Sequence, residues 1–124
     1  MKTLSAMTVA LVLLLSAAVG FAATATLQWE APVADATHGA ATGFKVYKGT
    51  GSVCSQTGPL TGLMSTLGYV LAATDTTITA GQTVCYEISG TNAGGEGPHS
   101  LRVTGLVPVN PPLAPLNPRL SVAP

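Results

Sequence analysis

Charge is scarce in this chain. Five Lys or Arg and five Asp or Glu make up 8% of the 124 residues and cancel to a formal net charge of zero. There is no basic stripe to neutralise a phosphate backbone, which argues against nucleic acid as a partner. Nor is there a basic amphipathic helix for a membrane surface. Aromatics are equally thin, with one Trp, three Tyr and two Phe. A glycan-binding face stacks sugar rings on flat aromatic platforms, and only Tyr47 and Tyr69 are candidates for that duty. Helical periodicity is missing, and with it any glycine-rich phosphate loop opening a helix. No Gly-x-Ser-x-Gly elbow occurs, and Glu87 and Glu96 fall on a strand and a loop with no enclosing pocket. These features describe a chain that is not an enzyme and takes no cofactor.

What is present begins with a leader. "MKTLSAMTVALVLLLSAAVGFAA" carries a lysine, an apolar run from Met7 to Leu15 and then small residues, the layout of a secretory signal peptide. The run is too short for a membrane span. Gly20-Phe21-Ala22 fits a small-x-small cleavage site, so residues 1–22 are expected to be removed, with Ala23 and Ala25 as alternative points. No membrane insertion is expected after cleavage. Export places the chain outside the cytoplasm: secreted, periplasmic or on the cell surface. In that oxidising setting Cys54 and Cys85 are expected to pair. Two cysteines so far apart lack zinc-site spacing.

Downstream, apolar residues alternate with polar ones. "ATLQWE" (25–30) sets Leu27 and Trp29 on one face. "GFKVYKG" (43–49) sets Phe44 with Val46, and "TVCYEISG" (83–90) sets Val84, Tyr86 and Ile88 against Cys85, Glu87 and Ser89. "HSLRVTGLV" (99–107) aligns Leu101 with Val103, while "LGYVLAA" (67–73) and "TDTTIT" (74–79) are shorter strands. Glycine-, proline- and asparagine-rich clusters separate these runs and supply turns. The pattern predicts an all-β, antiparallel two-sheet sandwich over residues 24–107. Its core is expected to hold Leu27, Trp29, Phe44, Val46, Ile78, Tyr86, Ile88 and Val103, with sheets about 10 Å apart.

"LQWEAP", "TGFKVYKG", "TAGQTVCYEISGTNAGGEG" and the later "SLRV" together resemble a fibronectin type III domain of bacterial secreted proteins. The resemblance covers residues 25 to about 107. It implies that Leu27 and Trp29 lie on the fold's second strand, Gly43–Lys48 on its third and Gly81–Ile88 on its sixth. Two departures stand out. The corner tyrosine expected six residues after Ile78 is Val84, and a Cys54–Cys85 bridge would pin the same region instead. The first strand should precede Leu27, where leader removal leaves almost nothing, so the mature module is expected to lack strand one.

The resemblance also places "APVADATHGAATG" and "NAGGEGPHS" at one pole, making Asp35, His38, Glu96 and His99 candidate metal or ligand donors. Four solvated polar residues on mobile loops are the alternative. Residues 108–124 form a tail with six prolines. It reads as an extended spacer, as linker plus first strand of a following domain, or as a strand donated to a neighbour's vacant edge. The function expected is a non-catalytic exported binding or interaction module. Its partner is protein or glycan, and self-association through residues 110–124 is a further possibility. The alternatives are a carbohydrate-binding accessory module and a structural subunit assembled by tail-strand donation.

Overall fold

A computed structural model describes residues 11–17, 23–109 and 115–123. Eight strands follow in order: β1 (Val12–Ala17), β2 (Ala23–Gln28), β3 (Gly43–Thr50), β4 (Leu63–Leu67), β5 (Ala72–Ile78), β6 (Thr83–Asn92), β7 (Gly95–His99) and β8 (Val103–Leu106). Three of them form one sheet in the order β1-β2-β5. The other sheet runs β4-β3-β6-β7, with β8 pairing the first half of β6. Every pairing is antiparallel. A 3-10 turn, Gly51–Ser55, follows β3, and no helix among the described residues is long and apolar enough to cross a membrane.

The alternating residues meet between the sheets. Leu27, Trp29, Phe44, Val46, Ile78, Tyr86 and Ile88 are buried, with Ala23, Ala25, Val84 and Val107 among them. Trp29 meets Phe44 edge-on at 5.5 Å. Val103 is only partly buried at the margin, and Leu101 is 87% exposed. The reason is a break in the last strand. Between β7 and β8 the Ser100 amide bonds the Ile88 carbonyl, and the Ser100 hydroxyl accepts the Ile88 amide. This local bulge ends the alternation that would have carried Leu101 inward.

One further expectation is corrected. The cluster "NAGGEGP" is not all turn, because Gly95–His99 pairs with β6 as β7. Backbone hydrogen bonding needs no apolar alternation, and a proline such as Pro98 is tolerated on an edge strand. In the structure the edge beside β2 is occupied by β1, from Val12 opposite Gln28 to Ala17 opposite Ala23. Leu11, Leu13 and Leu15 pack against the core, while Val12 and Leu14 stand 48% and 56% exposed.

Candidate functional site

β6 is buried on both faces, from Val84 to Gly90. Inward residues meet the core. Outward residues Cys85 and Glu87 are covered by the segment after β3, which folds back over the sheet, and Ser89 donates to Glu96 of β7. Cys54 on that segment is bonded to Cys85, with Cα atoms 5.6 Å apart. Gly49 makes room: a Cβ there would lie 2.9 Å from the Cys85 sulfur and 3.0 Å from Leu60 and Val53 side-chain carbons.

Beneath this cover lies a polar network centred on Glu87, which is 4% exposed. Its Oε1 accepts the Leu60 amide at 2.9 Å and lies 2.7 Å from His99 Nδ1; its Oε2 accepts Arg102 Nε at 2.8 Å. Burial opposes ionisation of Glu87, but the His99, Leu60 and Arg102 donors outweigh it and hold the carboxyl below its ordinary range. The remaining Arg102 nitrogens donate to the carbonyls of Cys54, Gln56 and Gly58, at 3.1, 2.6 and 2.6 Å. Arg102 thereby clamps the covering segment to the strand beneath it. Its five donors in a planar fork suit such multiple acceptors.

The network continues toward the loop pole. The His99 ring stacks on Tyr47 at 4.2 Å between centroids. Glu96 accepts hydrogen bonds from Ser89, Tyr47 and Lys45. The Ser89 and Tyr47 hydroxyls, aided by Lys45, hold the Glu96 carboxyl low, and the Glu96 anion in turn pushes the Tyr47 hydroxyl up.

At the pole itself a groove of about 290 Å³ opens between residues 32–41 and 90–98. Pro32, Val33 and Pro98 give it apolar wall, and His38, Asn92 and Glu96 give it polar groups. Its loops are tied by their own side chains. Asp35 accepts the amides of Thr37 and His38 at 2.8 and 2.7 Å. The Thr37 amide is the chief cause that lowers the Asp35 carboxyl to about 2, with His38 assisting. Asn92 accepts the Gly94 amide at 2.8 Å and donates to the Ala40 carbonyl at 3.3 Å, linking the two walls.

The four candidate donors separate into two pairs. Asp35 lies 3.0 Å from His38, on the exposed loop. Glu96 lies 3.6 Å from His99, whose other nitrogen is engaged by Glu87. Among the described residues no group of three or more His, Cys, Asp or Glu is arranged to hold a metal. Arg102 was visible in the sequence only as the polar neighbour of Leu101 and Val103.

No protein-family model matches the chain, and no curated protein matches it. Solved structures do. The third fibronectin III domain of the human KIAA0343 protein matches with a TM-score of 0.58 and 13% identity over 83% of each chain. A fibronectin type III domain from the human KIAA0970 protein matches at 0.54, with 16% identity over 90% of this chain and 84% of that one. An Fn3-like protein from Clostridium thermocellum matches at 0.52, with 24% identity over 73% and 80%. The class is thus a two-sheet antiparallel β-sandwich of immunoglobulin-like type. Within that class, the chain has the fold of a fibronectin type III domain.

Proposed function

We propose that the chain is an exported, non-catalytic binding module that works at the cell surface or in the periplasm, contacting a protein partner through the loop-pole groove. The observation that carries this reading is the groove's construction. Polar groups of His38, Asn92 and Glu96 sit between apolar Pro32, Val33 and Pro98, on loops already tied by Asp35 and Asn92. Walls ordered before contact lose little conformational freedom on binding. Loops carried by a rigid sheet are also where binding residues concentrate. The leader-like first 22 residues and the Cys54–Cys85 bridge support the exported location.

A peptide segment is favoured over a sugar by the placement of the aromatics. Trp29, Phe44 and Tyr86 are buried, Tyr47 is stacked against His99, and Tyr69 is 56% exposed beside Phe44. Among the described residues a single exposed ring is a poor platform for sugar stacking.

The test is a displayed peptide library panned on the oxidised, immobilised protein, with a glycan array probed in parallel. Peptides should be enriched, and Val33→Asp or His38→Ala should weaken their binding by about tenfold, equivalent to ~1.4 kcal/mol. Glycan binding without peptide binding supports the carbohydrate alternative. Peptides bound equally well by both variants rule out the groove.

A further inference from the structure

The strand filling the edge beside β2 comes from the leader, and the tail contains a better-patterned strand for the same place. β1 is apolar on both faces. Leu11, Leu13 and Leu15 point to the core, but Val12 and Leu14 are turned to solvent. The inward pair seats on Gly105 of β8, where a Cβ would lie 2.5 Å from Leu15 Cδ1 and 3.2 Å from Leu13 Cδ2. Gly105 therefore forms a slot that accepts branched apolar side chains from the strand alongside.

Residues 118–123 read Pro-Arg-Leu-Ser-Val-Ala. Laid on β1 with Leu120 at the place of Leu13, they set Val122 at Leu15 and Pro118 at Leu11. Arg119 and Ser121 then replace exposed Val12 and Leu14. This strand has period two, apolar inward and polar outward, as a half-buried edge strand requires. Its proline falls at Leu11, one residue before the ladder begins, where no backbone donor is needed. In the structure Leu120 and Val122 are 89% and 79% exposed, and Leu116 is 87% exposed. Such a run of unburied apolar side chains lacks a packing partner within its own domain.

We infer that, once the leader is removed, residues 118–123 of a second copy of this chain occupy the β1 position, antiparallel to β2 and with Leu120 and Val122 over Gly105. The direction of the chain favours a second copy. β8 ends opposite Thr83, and β1 ends opposite Ala23, which pairs with Ile78. Both strands thus finish at the pole of the turn joining β5 to β6. A strand antiparallel to β2 must start at the other pole, about 20 Å away for six residues. The chain's own tail would first have to return that distance, using about 20 Å of the roughly 29 Å that residues 110–117 reach when fully stretched, before it could begin to pair. A neighbour's tail enters from the far pole without returning. Each molecule then receives one tail and gives another, and such a head-to-tail contact extends into filaments unless it closes in a ring. The inference depends on leader removal and not on the loop-pole groove.

The test exports the full chain so that processing occurs in the cell. N-terminal sequencing first shows whether residues 12–17 are gone; their retention in the exported product overturns the inference. Two single variants are then made, Thr26→Cys and Ser121→Cys. Thr26 pairs with Leu14 in the present register, and Ser121 takes the Leu14 place. Mixed and oxidised, the two variants should give a disulfide-linked dimer beyond what either gives alone. The double variant should give a covalent ladder. A double variant that bridges only within the monomer shows self-insertion and overturns the proposal, as does an unlinked mixture. Leu120→Asp, at an exposed residue, should reduce the linked product by at least about tenfold. Linkage unaffected by Leu120→Asp equally overturns it.

Discussion

The Tyr86 hydroxyl donates to the Asp75 carboxylate at 2.7 Å, in the interior of the sandwich. Tyr86 belongs to β6 and Asp75 to β5, so this bond joins the two sheets. Lys48 of β3 reaches the same carboxylate at 2.6 Å, and Thr77 adds its amide and hydroxyl. Val84 stands where the fold's corner tyrosine was expected, two residues away, and Tyr86 supplies a different tie. A charge buried this well persists only because each carboxylate oxygen has donors.

Asp75→Ala should be among the most damaging single substitutions, costing about 3–5 kcal/mol, because it leaves Lys48 without its counter-charge and the Tyr86 hydroxyl without its acceptor. Tyr86→Phe should cost less, about 1.5–3 kcal/mol, since it removes one bond to a charged group. Urea unfolding checks both. A loss for Asp75→Ala smaller than for Tyr86→Phe contradicts the charge's central place.

Acid should weaken the fold in a defined window. Burial works against the Asp75 anion, but Lys48, Thr77 and Tyr86 hold its carboxyl at about 2. The unfolded group titrates near 3.9, so the stabilisation is complete above about pH 4 and is lost as pH falls toward 2. Its size is roughly 2–2.5 kcal/mol. Glu87 and Glu96 are also lowered and act in the same direction. Thermal melts from pH 6 to pH 2 should show the decline, and Asp75→Asn should flatten it.

Reducing the Cys54–Cys85 bridge should cost about 3–4 kcal/mol in the chain-entropy description, given the separation of 31 residues. Paired Cys54→Ala and Cys85→Ala substitutions should match reduction. Stability unchanged by reductant would mean that the covering segment is held without it.

Arg102→Ala tests that second hold. Carbonyls of Cys54, Gln56 and Gly58 lose their donor, and Glu87 loses its nearest full positive charge. Hydrogen exchange of the Leu60 amide, which is bonded to Glu87, should quicken by about tenfold or more, while Phe44 and Val46 remain protected.

Gly43→Ala should destabilise by about 1–3 kcal/mol, because its Cβ would lie 2.7 Å from the Leu67 carbonyl oxygen and 3.0 Å from Thr91 Oγ1. Calorimetry should show a lowered Tm with the fold retained.

How much of this was legible follows from what each pattern encodes. Alternation around Phe44, Val46, Tyr86 and Ile88 exposes an inward face directly, and those four are fully buried. It is silent about Glu87 and Ser89, which look like solvent-facing residues and are both buried, Glu87 beneath a segment remote in sequence. Nothing local predicts that residues 54–60 fold back over β6. The pairing of Gly95–His99 was hidden for a related reason, since its glycines carry no side-chain pattern.

The strand period, the sandwich class and most of the residues that fill its centre are written in the local pattern of the chain, because burial of alternating apolar side chains is a local demand. Which polar groups went inside depended on the folded arrangement. Asp75 and Glu87 are stabilised by donors from β3, β6 and the link between β7 and β8, and those partners meet through sheet topology alone. The tertiary structure likewise decided that Val12–Ala17 pairs along the edge of β2.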